Sequence, residues 1–138
     1  LDIYIDEDFR ERKQGINSWN ELPIGFEYKQ FYDENYKIGD GESQVEVRKR
    51  TTNAFNNILD NNIGKRIAIV FHGTAMICLL RNWCDINLIG VSTDFKINIK
   101  FNNLEIFNDK MNTPEIFKLE FNDRKELISI KNIKYNMI

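Results

Sequence analysis

The clearest periodic pattern in the chain is an amphipathic helix in its first half. Apolar and small side chains recur at spacings of three and four between Gln44 and Asn61, which places them on one helical face. These positions are Val47, Thr51, Ala54, Phe55, Ile58 and Leu59. Ser43 is a suitable N-cap residue, and Glu46 three residues later completes a capping-box pattern. The pattern therefore predicts a helix from about residue 44 to residue 61.

A second pattern is a continuous apolar run over residues 67–71, which ends at His72 and Gly73. The run has the length of a strand, and strands that are apolar throughout belong to sheets covered on both faces, which are usually parallel. After Thr74 the apolar spacing is helical again and ends near Asn82. This order of strand, turn and helix predicts one unit of an α/β fold.

Alternating or aromatic patterns occupy other parts of the chain. Apolar residues alternate over residues 1–5 and in four later stretches, which predicts strands. The later stretches are residues 95–101, 104–107, 116–121 and 127–130. The aromatic segment Phe26–Tyr36 predicts a helix or an ordered insertion. The predicted fold class is α/β, a three-layer α/β/α arrangement with a mainly parallel central sheet, in a single domain over residues 1–138.

The composition argues against several classes of function. Among 138 residues, 19 basic and 21 acidic side chains give a net charge of −2 without blocks of like charge, which argues against nucleic-acid partners and a polybasic membrane surface. No segment approaches the roughly 18 apolar residues of a membrane helix. One histidine and two cysteines are too few for most structural zinc sites. We expect no metal and no organic cofactor, and reduced thiols at Cys78 and Cys84 in a cytoplasmic protein.

The best candidate for chemistry is the junction between the apolar run and the helix that follows it. Ligands of open α/β sheets gather at the carboxyl ends of strands, where the N–H groups of the next helix suit a phosphate. His72 would donate to the anion when protonated, Gly73 would let the backbone approach closely, and Thr74 would add a hydroxyl donor. The alternative is that His72 only satisfies a backbone carbonyl at the end of the strand.

Two weaker features precede this junction. Glu11 lies among cations in residues 8–15, which on its own is typical of a solvated loop. Gly41-Glu42-Ser43 precedes the long helix, and on its own it indicates a turn with a capped helix, because no phosphate-loop signature follows.

In this order the three features resemble the histidine phosphatase superfamily, in its metal-independent, phosphoglycerate-mutase-like branch. The resemblance rests on Phe-x-Glu-Arg-x-x-Gly at residues 9–15, on Gly-Glu-Ser with Val47 and Arg50, and on the apolar run ending in His-Gly. It implies an α/β enzyme in which a histidine of an Arg-His-Gly motif carries the phosphoryl group. His72 then matches the strand-end histidine that holds phosphate, and Glu11 matches the proton donor. Arg12 matches a substrate-side arginine of the mutase branch.

One part of the family pattern is missing from the chain. No Arg-His-Gly motif occurs, and a strand–helix–strand unit of the kind that would carry it takes about 30 or more residues. The alternation that begins at Leu1 fits a chain that starts inside a strand. We therefore expect a chain truncated at its N-terminus and inactive on its own.

For the intact protein, the resemblance favours hydrolysis of a phosphorylated small molecule. Mutase-type phosphotransfer is less favoured, because Lys13 and Gln14 depart from the mutase pattern. Two further alternatives stay open. One is a non-catalytic phosphate-binding or regulatory relative, and the other is a homodimer or partner complex in which a second chain completes the sheet.

Overall fold

The first of two units in the chain, Leu1–Asn82, is built from helices. The computed structural model describes residues 2–112 and 114–135. Two short 3-10 turns, Glu7–Phe9 and Trp19–Glu21, precede the helices α1 (Phe26–Tyr32), α2 (Gln44–Asn61) and α3 (Gly73–Leu80). The expectation of a single domain over residues 1–138 stays a prediction.

Helix α2 confirms the periodicity analysis. It begins and ends where the pattern predicts, and its capping box is complete. The Ser43 hydroxyl accepts from the Glu46 N–H at 3.2 Å, and the Glu46 carboxylate accepts from the Ser43 N–H at 2.7 Å. Four of the six predicted face positions are buried, and the last two, Ile58 and Leu59, are half-buried.

The core of this unit joins α2 to α3. Val47 of α2 packs with Ala75 and Cys78 of α3, and Phe71 packs against the three of them. Phe9 meets Phe71 edge-to-face, with ring centroids 5.0 Å apart. Each buried side chain of valine or phenylalanine size contributes about 1.5–3 kcal/mol. These contacts hold the segment around residue 9 close to the start of α3.

The predicted parallel sheet is wrong. Residues 67–71 form no strand, and Val70 is 97% exposed. The alternating segment at the start is likewise not a strand over residues 2–6, and Leu1 lies outside the described residues. An apolar run favours extended backbone, but a strand also needs a neighbour for its N–H and C=O groups. Within the described residues no backbone hydrogen bond ties residues 67–71 to another segment. The three-layer arrangement with a mainly parallel sheet is therefore not seen.

The second unit, Trp83–Ile138, is antiparallel throughout its described strands. A three-stranded meander is formed by β1 (Asp85–Val91), β2 (Asp94–Phe101) and β3 (Leu104–Asp109). A hairpin is formed by β4 (Phe117–Phe121) and β5 (Leu127–Asn132). The strands predicted for the last third of the chain are confirmed, whereas β1 was not predicted. Its signal was the alternation of Ile86 and Leu88, which are buried, with polar neighbours.

Turn chemistry and packing explain this unit. Asn102 and Asn103 have positive φ angles of 50° and 65°, a conformation that asparagine tolerates well and that tight hairpin turns require. Phe107 of β3 packs edge-on against Phe117 of β4, with ring centroids 5.8 Å apart. The described part of this unit therefore consists of antiparallel strands, and together with the helices of the first unit it gives the chain a mixed α/β class. Among the described residues, no helix combines the length and the apolar character needed to cross a bilayer.

Candidate active site

The carboxylate of Glu11 lies at the N-terminus of α3. Its Oε1 atom accepts from the Ala75 N–H at 3.2 Å, and its Oε2 atom accepts from the Thr74 N–H at 3.4 Å. The Arg12 N–H also donates to Oε1, at 2.8 Å. The first N–H groups of a helix have no intrahelical partner, and the helix dipole favours negative charge there. Glu11 therefore occupies the anion-favouring end of this helix.

His72 is the N-cap residue of the same helix. Its backbone is extended, with φ −91° and ψ 150°, and its carbonyl accepts from the Met76 N–H at 2.9 Å. The imidazole is exposed and makes no capping hydrogen bond. The structure thus brings His72, Gly73, Thr74 and Glu11 together at one helix end, with the imidazole open to solvent.

Gly73 faces open space. A Cβ added at this position would meet no atom within 4 Å, and its φ angle lies outside the left-handed region. Neither packing nor backbone conformation therefore requires glycine here. Space is therefore open beside Gly73 at the start of α3, where Glu11 and His72 also lie.

Arg12 is placed differently from the other predicted site residues. Its side chain is 3% exposed, and it donates from Nε to the Glu42 carbonyl at 2.6 Å and from Nη2 to the Tyr36 carbonyl at 3.1 Å. The guanidinium lies over the Phe26 ring, 5.4 Å from its centroid. Burial lowers the pKa of Arg12 below its ordinary value, although nearby Cys78, Glu42 and Glu11 oppose the shift. These contacts tie the loop that carries Glu11 and Arg12 to the carbonyls of Tyr36 and Glu42. The substrate-side role of Arg12 stays a prediction.

Glu42 and Arg50 were not singled out as functional residues from the sequence. Glu42 accepts hydrogen bonds from Arg10, Lys13 and Arg50, and its side chain is 15% exposed. Burial favours its neutral form, but the hydrogen bonds from Arg50 and Lys13 and the charges of Arg50 and Arg10 outweigh burial, so the pKa of Glu42 is lowered. The only signal in the sequence was that both residues belong to the family-like pattern at residues 41–50.

Two glycines explain how these segments reach each other. Gly15 has φ 74°, and a Cβ added there would overlap the Ile38 carbonyl oxygen and the backbone of Gly41. A Cβ added at Gly41 would lie 2.7 Å from the Gln14 carbonyl oxygen. The two backbones therefore cross in direct contact, and we call this contact the glycine crossing. It holds the loop of Glu11 beside the turn that leads into α2.

Other possible sites in the described residues are weaker. Across residues 2–112 and 114–135, no cluster of three or more His, Cys, Asp and Glu could hold a metal ion. An open depression of about 330 Å³ lies along α2 and Asn82. It contains none of the predicted site residues, and its lining residues are Val45, Arg48, Lys49, Thr52, Asn53 and Asn82. The end of α3 is therefore the best candidate on chemical grounds.

A comparison with known families gives a match that covers most of the chain. A family model described as the histidine phosphatase superfamily (branch 1) matches residues 1–114. The matched range contains the three helices, Glu11, the His72–Thr74 segment and the meander β1–β3, and it ends before β4. Neither the curated proteins nor the solved structures give a match to the chain.

Proposed function

The chain belongs to the histidine phosphatase superfamily, and from that premise we propose that the intact protein hydrolyses phosphomonoesters of small molecules through a phosphohistidine. The observation that carries the proposal is the position of Glu11, whose carboxylate is hydrogen-bonded at the start of α3 next to His72. Phosphoryl transfer needs donors around the phosphoryl oxygens and a carboxyl group near the leaving oxygen. Both are found at this helix end.

In the proposed site, the phosphoryl oxygens accept a hydrogen bond from the imidazole of His72, beside the Thr74 and Ala75 N–H groups that the Glu11 carboxylate occupies. The Thr74 hydroxyl is a further donor, and the helix dipole adds to the attraction. Gly73 leaves the space that the anion enters. Arg12 is proposed to contribute to the substrate side through the loop that it supports.

The proposed reaction has two steps. A nucleophilic histidine attacks phosphorus, so that a P–N bond forms and the P–O bond to the leaving group breaks, while Glu11 gives its proton to the leaving oxygen. Water then attacks phosphorus and loses a proton to the Glu11 carboxylate, and the P–N bond breaks to release phosphate. His72 is the sole histidine in the sequence, and in this proposal it holds the phosphate and is not the nucleophile. We propose that the intact protein supplies the nucleophile from a segment outside these 138 residues.

The 138-residue chain is therefore expected to be inactive, and this can be tested directly. The chain and the protein from the full reading frame are assayed side by side with p-nitrophenyl phosphate. We expect turnover only from the intact protein and none from the 138-residue chain. Turnover by the 138-residue chain that is lost in His72→Ala would contradict the assignment of His72 to phosphate holding.

A second candidate is a non-catalytic relative that binds phosphate. The observation that favours it is that His72 and Thr74, the side chains proposed to hold phosphate, are in this chain, whereas a second histidine is not. The reading frame upstream of residue 1 decides between the two, because an enzyme needs an Arg-His-Gly segment there.

Phosphotransfer to an acceptor alcohol instead of water would identify the mutase alternative. A dimer in solution would support the homodimer proposal.

The two thiols support the proposal of a cytoplasmic location. Cys78 and Cys84 are free and buried, and burial raises the pKa of each thiol to about 11. At neutral pH both thiols are protonated and shielded, which fits structural cysteines in a reducing compartment.

A further inference from the structure

We propose that Arg50 is a positioning residue for Glu11, which it holds in place through the main chain of residues 8–11. This inference rests on the proposed function, because it assumes that Glu11 is the proton donor. Arg50 lies on α2 and donates no hydrogen bond to the Glu11 carboxylate. It acts on the segment from which that carboxylate projects.

All five N–H groups of the Arg50 side chain are used. Nη1 donates to the carbonyl oxygens of Asp8 at 2.7 Å and Arg10 at 3.0 Å, and Nη2 donates to the carbonyl oxygen of Glu11 at 3.2 Å. The remaining two, on Nε and Nη2, go to the two carboxylate oxygens of Glu42 at 2.8 Å and 3.0 Å. One planar side chain, 12% exposed, therefore fixes three carbonyls of four consecutive residues.

Glu42 binds both Arg50 and the segment after Glu11, and so it holds the loop from its other side. Its Oε2 atom accepts from the Lys13 N–H at 2.9 Å, and its Oε1 atom accepts from Arg10 at 3.0 Å. A bidentate carboxylate holds the guanidinium in one orientation, which fixes the directions of its other donors. The main chain on both sides of Glu11 is thus bonded to one ion pair.

The ion pair connects Glu11 to the helix end where it works. Arg50 is part of α2, and α2 packs on α3 through Val47, Ala75 and Cys78. The backbone of Glu11 and the N–H groups of Thr74 and Ala75 are therefore held against the same pair of helices. A proton donor acts efficiently only when it is within hydrogen-bond reach of the leaving oxygen, and misplacement by 1 Å can cost about a hundredfold in rate.

Arg50→Lys in the intact protein tests the inference. Lysine keeps the positive charge but has one donor group on a flexible stem, so it cannot make the bidentate bond and hold three carbonyls as well. The readout is the ratio of kcat/KM for p-nitrophenyl phosphate to kcat/KM for glycerol 2-phosphate. The nitrophenolate departs without a proton, whereas the alkoxide needs one, so the ratio reports on proton donation specifically.

We expect Arg50→Lys to raise this ratio about tenfold, because a misplaced donor slows the alkyl phosphate selectively. Arg48→Lys is the matched control, since Arg48 lies on the same helix but bonds to Asn82 and the Arg81 carbonyl. Its ratio should stay unchanged. In a Glu11→Gln background, Arg50→Lys should add nothing to the ratio, because the donor it positions is already gone.

Each other outcome counts against the inference. An unchanged ratio in Arg50→Lys, or an equal loss with both substrates, would show a structural role alone. If Arg50→Lys does not fold, Glu42→Gln decides by the same ratio, since it weakens the bond that orients Arg50. If Glu11→Gln itself leaves the ratio unchanged, the proposed function of Glu11 fails and the positioning inference fails with it. A raised ratio in Glu11→Gln without one in Arg50→Lys removes the positioning inference only.

Discussion

The two main helices of the first unit begin in different ways. The N-terminus of α2 is capped locally, because Ser43 and Glu46 satisfy each other's N–H groups within three residues. The N-terminus of α3 is capped remotely, by the carboxylate of Glu11, which is 63 and 64 positions from the N–H groups it binds. The N-cap residue of α3, His72, contributes no side-chain hydrogen bond.

This difference separates stability from function. A local cap forms together with its helix and leaves no place for a ligand, since its N–H groups are occupied by neighbours. At α3 the N–H groups of Thr74 and Ala75 are also occupied, but the imidazole of His72 is exposed beside them and takes no part in the cap, so it can bind an anion. Changes at the N-terminus of α3 should therefore alter catalysis, and changes at the N-terminal cap of α2 should alter stability.

Glu11→Gln should cause the largest loss of activity. The amide has nearly the same shape but cannot give up a proton, so kcat of the intact protein toward glycerol 2-phosphate should fall about a hundredfold or more. KM should change far less. Steady-state kinetics measures both, with Glu7→Gln as the control in the neighbouring 3-10 turn. A rise in KM that accounts for the whole loss would show that Glu11 only binds substrate.

His72→Ala should weaken phosphate binding and leave stability nearly unchanged. The imidazole is exposed and makes no capping bond, so its removal should change the free energy of unfolding by less than about 0.5 kcal/mol. Loss of one charge-assisted donor should weaken vanadate inhibition of the intact protein by about tenfold. Inhibition curves and thermal unfolding measure the two effects. A large drop in Tm with unchanged inhibition would reverse the roles assigned to the two helix ends.

Ser43→Ala should have the opposite signature. Loss of the N-cap hydroxyl should reduce the free energy of unfolding by about 1 kcal/mol, with kcat/KM retained. Ser43→Asp is the matched control, because aspartate is also a good N-cap residue and should restore most of the stability. Chemical denaturation of both variants provides the comparison. An alanine variant as stable as the original chain would sink the claim that this cap stabilises α2.

The pH dependence of the α2 cap is the smallest expected effect. The hydrogen bond from Lys37, helped by the Ser43 N–H, lowers the pKa of Glu46 from 4.5 to about 2. Because the pKa is lower in the folded chain, the contribution of Glu46 is present above about pH 4.5 and is lost as the pH falls toward 2. The amide resonance of Ser43, followed by NMR as the pH is lowered, should shift with a midpoint at about pH 2. Glu46→Gln should abolish the shift, and a midpoint near 4.5 would contradict the prediction.

The same contrast explains what could be predicted from the sequence. Helix α2 and its capping box were predicted correctly, because every signal lies within 18 residues. The parallel strand predicted from the apolar run 67–71 was wrong. An apolar run shows that a strand there could be buried on both faces, but it does not show whether another strand is present to pair with it. Glu11 was selected by the ordered pattern of the family. Its contact with α3 and the burial of Arg12 were not predictable, because both depend on segments tens of residues apart.

The glycine crossing has a consequence for how this chain can vary. Most crowded positions tolerate a larger residue if a neighbouring side chain becomes smaller in exchange. At Gly15 and Gly41 the obstacle is main chain, which is the same whatever residues surround it. No second substitution can therefore make room, so sequence drift and directed evolution alike are expected to leave these two positions fixed. Exposed neighbours such as Asp40 are free of that constraint, so mutational tolerance should change abruptly between adjacent residues of the same turn.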